Sequence, residues 1–178
     1  MFSEGDIDKA LETVSKGLEL SKDLSEELWI GRLHHQRGYI KVNYTIKKKD
    51  GIRDLLEALK LFEKRDDKDR IKDVLMELGK SNYSLKNFII ARDYFNRAKQ
   101  LAISLNNEVD LAMIYSDLGP VYEKMEDETE ALKYYTKAEL LYEKLDDELN
   151  LSKAKLNRAN LNINITPDSL KTLKQEIR

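Results

Sequence analysis

Residues 117–138 read DLGPVYEKMEDETEALKYYTKA, and the recurrence of this stretch along the chain decides the fold. Stepping back by forty positions, Ala138 finds Ala98 and Ala58, Leu141 finds Leu101 and Leu61, and Leu151 finds Leu111 and Ile71. The same step links Tyr135 with Phe95 and Leu55, Ala159 with Gly119 and Gly79, and the polar doublets Asp146-Asp147, Asn106-Asn107 and Asp66-Asp67. Small, apolar and polar positions thus recur in phase, the mark of an array whose units bury their apolar faces on one another. Within one unit, Ala131, Tyr134, Tyr135, Ala138, Leu141, Tyr142 and Leu145 follow spacings of three and four. They share one helical stripe, so each unit is expected to be two amphipathic helices.

Extended along the chain, the pattern predicts nine helices and no strand, at 6–22, 26–44, 51–65, 68–84, 88–105, 108–125, 128–145, 148–163 and 167–178. Asp50-Gly51 and Asn87 break the apolar pattern, and Thr166-Pro167 offers a capping hydroxyl followed by a proline at the first helical position. The units run 26–66, 67–106 and 107–146, with a half repeat over 1–25 and a degenerate copy over 147–178.

Composition agrees with helices and removes several function classes. Of 178 residues, 36% are charged and 41% hydrophobic, with only seven glycines and two prolines. Lys plus Arg number 31 against 33 Asp plus Glu, a net charge of −2, and neither half carries the basic excess of a nucleic-acid binder. The absence of cysteine excludes disulfides and thiolate chemistry and fits a reducing compartment. No stretch approaches the roughly 20 apolar residues that span a bilayer, and the start lacks a secretory pattern, so a cytoplasmic location without membrane association is expected.

The quoted stretch resembles the tetratricopeptide repeat. Leu118, Gly119, Tyr122, Ala131, Tyr135 and Ala138 stand where that family has Leu, Gly, Tyr, Ala, an aromatic and Ala. The preceding copy, ELGKSNYSLKNFIIARDYFNRA, supplies Leu78, Gly79, Ala91, Phe95 and Ala98, but places Asn82 at the Tyr position with Tyr83 next to it. Weaker copies flank these two: Tyr39 to Ala58, with Gly51 at an Ala site, and Ala159 onward, with Asn162 for Tyr. The resemblance implies a right-handed superhelical solenoid of antiparallel helix pairs. Its forty-residue period, six beyond the usual 34, adds about one and a half helical turns. These conserved-type positions are a packing code in which Gly119 and Ala138 allow two helices to cross closely while Tyr122 and Tyr135 fill the gaps.

What the resemblance implies about function is capture of a protein or peptide segment in a concave groove lined by the first helix of each repeat. Groove-facing positions hold Gln36, Arg37, Ile40, Asn43 and Tyr44, then Asp73, Met76, Glu77, Lys80 and Tyr83. Ser116, Pro120, Glu123 and Lys124 follow, and the last copy adds Asn157, Asn160 and Asn164. Asn43, Tyr44, Lys80, Tyr83, Lys124, Asn157, Asn160 and Asn164 are the candidate ligand residues, because asparagine both donates and accepts and so suits the amides of an extended peptide. The carboxylate clamp of chaperone-binding relatives is not matched, since its sites hold Gln36, Ile40, Met76, Lys80, Ser116 and Pro120.

Other features have plainer readings. His34 and His35 are adjacent on a helix and point about 100 degrees apart, so they serve packing or the surface rather than one metal. The paired acids Glu26-Glu27, Asp66-Asp67 and Asp146-Asp147 suit helix starts. Lys47-Lys48-Lys49 reads as a solvated loop, and Pro120 as a kink inside a helix. No phosphate loop, nucleophile elbow or metal-ligand spacing occurs, so no cofactor, metal or catalytic residue is assigned and no enzyme is expected. Gly5–Leu20 reads as the second helix of a repeat, with Ala10 and Gly17 at its Ala sites, which points to a piece of a longer protein. Two further expectations follow from that opening: self-association through Ile7, Leu11, Val14 and Leu18, and an alternative role as the peptide-sensing part of a bacterial regulator.

Overall fold

The computed structural model describes residues 3–23, 26–161 and 175. Among them are eight helices and no strand: α1 (Glu4–Asp23), α2 (Glu27–Tyr44), α3 (Lys48–Lys64), α4 (Lys68–Ser84), α5 (Phe88–Ser104), α6 (Glu108–Lys124), α7 (Glu128–Lys144) and α8 (Glu148–Ala159). The expected helix over 167–178 and its Thr166-Pro167 start lie outside the described residues, apart from Gln175, which is helical. Helices α3 to α7 are 17 residues each, about 25 Å at 1.5 Å per residue.

A turn recurring every twenty residues imposes this uniformity. Asp66, Lys86, Asn106, Glu126 and Asp146 all adopt left-handed backbone, with φ between 51° and 63°. The next residue sends its N–H back five positions: Asp67 to the Phe62 carbonyl (3.1 Å), Asn107 to Ala102 (2.9 Å), Asp127 to Tyr122 (3.0 Å) and Asp147 to Tyr142 (3.0 Å). That closure satisfies carbonyls the helix end leaves open. The same residue then starts the following helix. The side chains of Asn107, Asp127 and Asp147 accept from the backbone N–H of Asp110, Glu130 and Asn150 at 3.0–3.1 Å, and Asp67 accepts from Arg70 at 3.3 Å. The acidic doublets therefore split their work: the first residue turns the chain and the second caps the next helix. Lys86-Asn87 and Glu126-Asp127 occupy the intervening turns with other residue types, which hid the twenty-residue step behind the forty-residue one.

Packing divides the chain into Met1–Ser81 and Asn82–Arg178, with the boundary inside α4. In the first unit α2 lies against both α1 and α3. Leu55, Ala58 and Phe62 of α3 are fully buried, and α2 approaches them through glycines. A Cβ on Gly31 would stand 2.9 Å from Phe62 Cε1, and one on Gly38 2.8 Å from Leu55 Cγ and 2.9 Å from the Gly51 carbonyl oxygen. Gly51 is itself inside α3, where a Cβ would lie 2.6 Å from Val42 Cγ1. Asp50-Gly51 was expected to break the apolar pattern, with the helix starting at Gly51, and Lys47–Lys49 to form a loop. Instead α3 begins at Lys48, and Gly51 is a contact position where only a hydrogen fits.

The stripe of α1 also differs from expectation. Val14 and Leu18 are buried, at 8% and 2% exposure, while Ile7 and Leu11 are half-buried. Packing of α1 on α2, with Gly17 facing Leu33, covers most of the stripe expected to be open for self-association.

In the second unit α6 packs on α5 and α7, and α7 on α8. Ala91, Phe95, Ala98, Leu118, Gly119, Ala131, Tyr135 and Ala138 are buried as the repeat pattern requires, as are Leu78 and Gly79 in the first unit; Tyr122 is half-buried. The close approach at Gly119 is made by the Tyr135 ring rather than by Ala138: a Cβ there would fall 2.5 Å from Tyr135 Cδ1. Ala138 instead meets Ala112, Tyr142 and Ala154. Pro120 lies inside α6, which continues to Lys124.

Two substitutions test these constraints by chemical denaturation. Gly51→Ala follows the repeat pattern and should gain about 1 kcal/mol from helix propensity alone; the crowding against Val42 and Gly38 predicts a loss of about 1–3 kcal/mol instead. Glu126→Gly should stabilise by about 0.5–1 kcal/mol, because glycine enters the left-handed region without the penalty a side chain carries there.

Candidate functional site

In the first unit the structure gathers Asn43, Tyr44 and Lys80 on one exposed surface of α2 and α4. Asn43 Nδ2 donates to the Tyr39 carbonyl (3.0 Å) and to Glu77 Oε2 (3.3 Å). Lys80 Nζ stands 3.9 Å from the other oxygen of Glu77. The Tyr44 ring meets Tyr39 edge-on at 6.1 Å, and both rings are about two-fifths exposed, at 43% and 40%. The hydrogen bond from Tyr44 raises the Tyr39 phenol above its ordinary value. Two wet aromatic rings, an amide and an ion pair make a surface able to bond peptide groups and cover an apolar side chain.

Two neighbours expected there face elsewhere. Met76 is buried, and Arg37 turns to Asp54 of α3 at 2.9 Å. Asp54 is only 4% exposed, yet it carries a charge. It also accepts from Lys41 Nζ (2.7 Å) and meets His34 Nδ1 at 3.1 Å. Burial pushes this carboxyl up, but the hydrogen bonds of His34, Arg37 and Lys41 and the Arg37 charge outweigh it and hold the group well below the usual carboxylate range. His35 points away, edge-on to Phe62 at 6.4 Å, and burial lowers its pKa. The sequence signal was present but unused: Asp54 falls on the buried stripe of α3, and His34, Arg37 and Lys41 share one face of α2 at spacings of three and four.

In the second unit Tyr83 packs on Phe88 at 5.6 Å, and burial, then the Glu123 charge, raises its phenol. Glu123 accepts from the Tyr135 hydroxyl at 3.1 Å and lies 3.8 Å from Lys124 Nζ, so Tyr135 and Lys124 share one carboxylate whose charge also reaches Tyr83. Burial and the same carboxylate push the Tyr135 phenol well up. Asn157 sits in the last turn of α8, half-buried, and Asn160 is the exposed residue that caps its C-terminus. Asn164 lies outside the described residues. The asparagine ladder is thus seen only as this pair.

A further concentration in the second unit joins side chains of α5, α6 and α7. Tyr134 stacks on Tyr122 (5.2 Å, 11°) and tilts against Tyr115 at 5.7 Å. Lys99 Nζ donates to the Tyr134 hydroxyl (2.9 Å) and to Asn96 Oδ1 (2.8 Å). Lys137 Nζ lies 5.4 Å from the Tyr115 centroid and 5.7 Å from that of Tyr134, while Lys133 pairs with Glu130 at 2.9 Å. Burial lowers the Lys99 amine, and burial followed by the Lys133 and Lys99 charges lowers that of Lys137. Lysines at 133 and 137, one helical turn apart and flanking Tyr134, were the available clue.

Buried repeat positions beside exposed, variable ones are what a repeat scaffold requires, and residues 70–144 match the tetratricopeptide repeat family. That segment is a tetratricopeptide repeat array. The fold is similar to that of BtubC (BKLC) from P. vanneervenii, with a TM-score of 0.68 and 23% identity over 92% of this chain and 60% of that one. It is also similar to a candidate kinesin light chain of Podosopora anserina with nearly identical TPR-like repeats, at a TM-score of 0.61 and 11% identity over 98% and 86% of the two chains. The chain thus spans about 60% of the length of BtubC, and at these identities the likeness is one of fold. No curated protein matches the chain by sequence. Among the described residues, no helix of this tetratricopeptide fold is long and apolar enough to cross a membrane, and no group of three or more acidic or histidine side chains is placed to hold a metal ion.

The buried acid gives a pH prediction. A carboxyl held low in the folded chain contributes stability above its unfolded value, about 3.9, and loses it as pH falls below that. Asp54→Asn should cost about 3 kcal/mol at neutral pH, because Arg37 and Lys41 lose the charge of their shared partner. In urea unfolding followed from pH 7 to pH 3, the gap between variant and wild type should narrow below about pH 4; a constant gap would assign the loss to packing instead.

Proposed function

We propose that the chain is a protein-binding module that captures a peptide segment on its first-helix surfaces and carries out no catalysis. The supporting observation is the division of labour along α2 and α4. Leu78 and Gly79 are buried in packing, while Asn43, Tyr44 and Lys80 are displayed together with Tyr39 and Glu77. Nothing in the packing of the repeat asks for those residue types, and they combine the donors, acceptors and exposed rings that peptide recognition uses. The tetratricopeptide array over 70–144 supports the same reading, since its buried positions build the scaffold and leave the exposed ones for a partner. Asn157 and Asn160 on α8 are the corresponding candidates in the second unit, and Tyr83 and Lys124 frame Glu123 there.

Selection of peptides from a displayed random library on the immobilised chain, followed by fluorescence anisotropy of the winners, tests this directly. The triple variant Asn43→Ala/Tyr44→Ala/Lys80→Ala should weaken the selected peptides by at least about tenfold, roughly 1.4 kcal/mol, with unchanged helicity and melting temperature. Peptides held equally by the variant would place recognition off this surface, and a library that yields no binder would count against peptide capture.

A further inference from the structure

A groove of about 520 Å³ lies between α6 and α7, walled by Leu111, Tyr115, Leu140 and Leu141, with Lys137, Glu143 and Lys144 completing its lining. That volume is of the size that takes up one or two large side chains or a small ligand. Its cations differ in kind. Lys144 is tied to Glu108. Lys137 lies over the rings of Tyr115 and Tyr134 and, among the described residues, makes no hydrogen bond or ion pair. Its neighbours deepen the imbalance: Lys99 is bonded only to neutral groups, Asn96 and the Tyr134 hydroxyl, and Lys133 already engages Glu130. An ammonium has three donors and binds a carboxylate more strongly than a neutral acceptor. Here one is held half-buried against aromatic faces beside a leucine wall, with no carboxylate among the described residues within ion-pair distance.

We propose that this groove binds a short segment of a partner protein in which an acidic side chain sits next to a large apolar one. The carboxylate meets Lys137, and the apolar side chain lies on Leu111, Leu140 and Leu141. The inference rests on the reading of the chain as a protein-binding module and adds a second, chemically distinct site to it. A singly charged carboxylate fits better than a phosphate, since one unpartnered ammonium is offered and Glu143 on the groove wall repels a dianion. The lowered pKa of Lys137 has the same cause, burial and then the lysines nearby, so a bound carboxylate relieves it and raises the amine back toward its ordinary value.

The test uses the whole chain and two blocked tripeptides, acetyl-Leu-Glu-Leu-amide and its Gln counterpart, titrated by amide NMR. The Glu peptide should shift the resonances of Leu111, Lys137, Leu140 and Leu141 and bind about tenfold more tightly than the Gln peptide. Lys137→Met, which keeps the stem and removes the charge, should abolish that preference without lowering the melting temperature. Equal affinities for the two peptides, shifts centred outside the groove, or no shift at millimolar peptide would each overturn the proposal. Such a failure is distinct from failure of the module reading, because the library-selected peptides and the variant at Asn43, Tyr44 and Lys80 report on a surface that shares no residue with this groove.

Discussion

Left-handed backbone at one residue in every twenty is the constraint on which the rest of the structure depends. Because that residue ends a helix and its successor begins the next, helix length and helix phase are set together. From α3 to α7 a turn of constant geometry between helices of 17 residues returns each apolar stripe to an equivalent phase. None of the five residues is glycine, and each therefore accepts a backbone penalty of about 1–2 kcal/mol. The closing bond from the following N–H offsets it, and at four of the five turns so does the side-chain cap of the next helix.

The second level of organisation is closeness. Gly119 beneath the Tyr135 ring, and Gly31, Gly38 and Gly51 between α2 and α3, are places where a single methyl group would collide. Where helices approach this nearly, the side chains that remain for recognition are pushed to the flanks. Asn43, Tyr44 and Lys80 occupy one such flank, and Lys137 with its tyrosines another. The residues proposed for binding are thus separate from those that pack the same helices.

The repeat, the helix pairing and the buried positions from Leu78 to Ala138 were legible in the sequence because packing recurs and recurrence can be counted. The start of α3 was placed at Gly51, three residues late, because a glycine beside an aspartate has the composition of a turn. Arg37 was placed in the groove by register alone, since nothing in a linear pattern shows that a buried acid on α3 claims it. The lysine and tyrosine cluster was missed for a related reason. Its members come from three helices, α5, α6 and α7, and no single helical stripe contains them. Asn157 and Asn160 rest on the sequence reading alone, because a packing code carries no ligand chemistry.

The buried charge cluster on α2 and α3 has one more consequence. At this crossing Phe62, Leu55 and Val42 sit against Gly31, Gly38 and Gly51, so the two helices already interlock through apolar contacts, and the charges add a polar register. A slip of one helical turn, about 5.4 Å, would carry Asp54 away from Arg37 and Lys41 and strand it in an apolar setting. The cluster therefore acts as a detent: its net contribution to stability is small beside an apolar replacement, yet it leaves the pair a single admissible alignment.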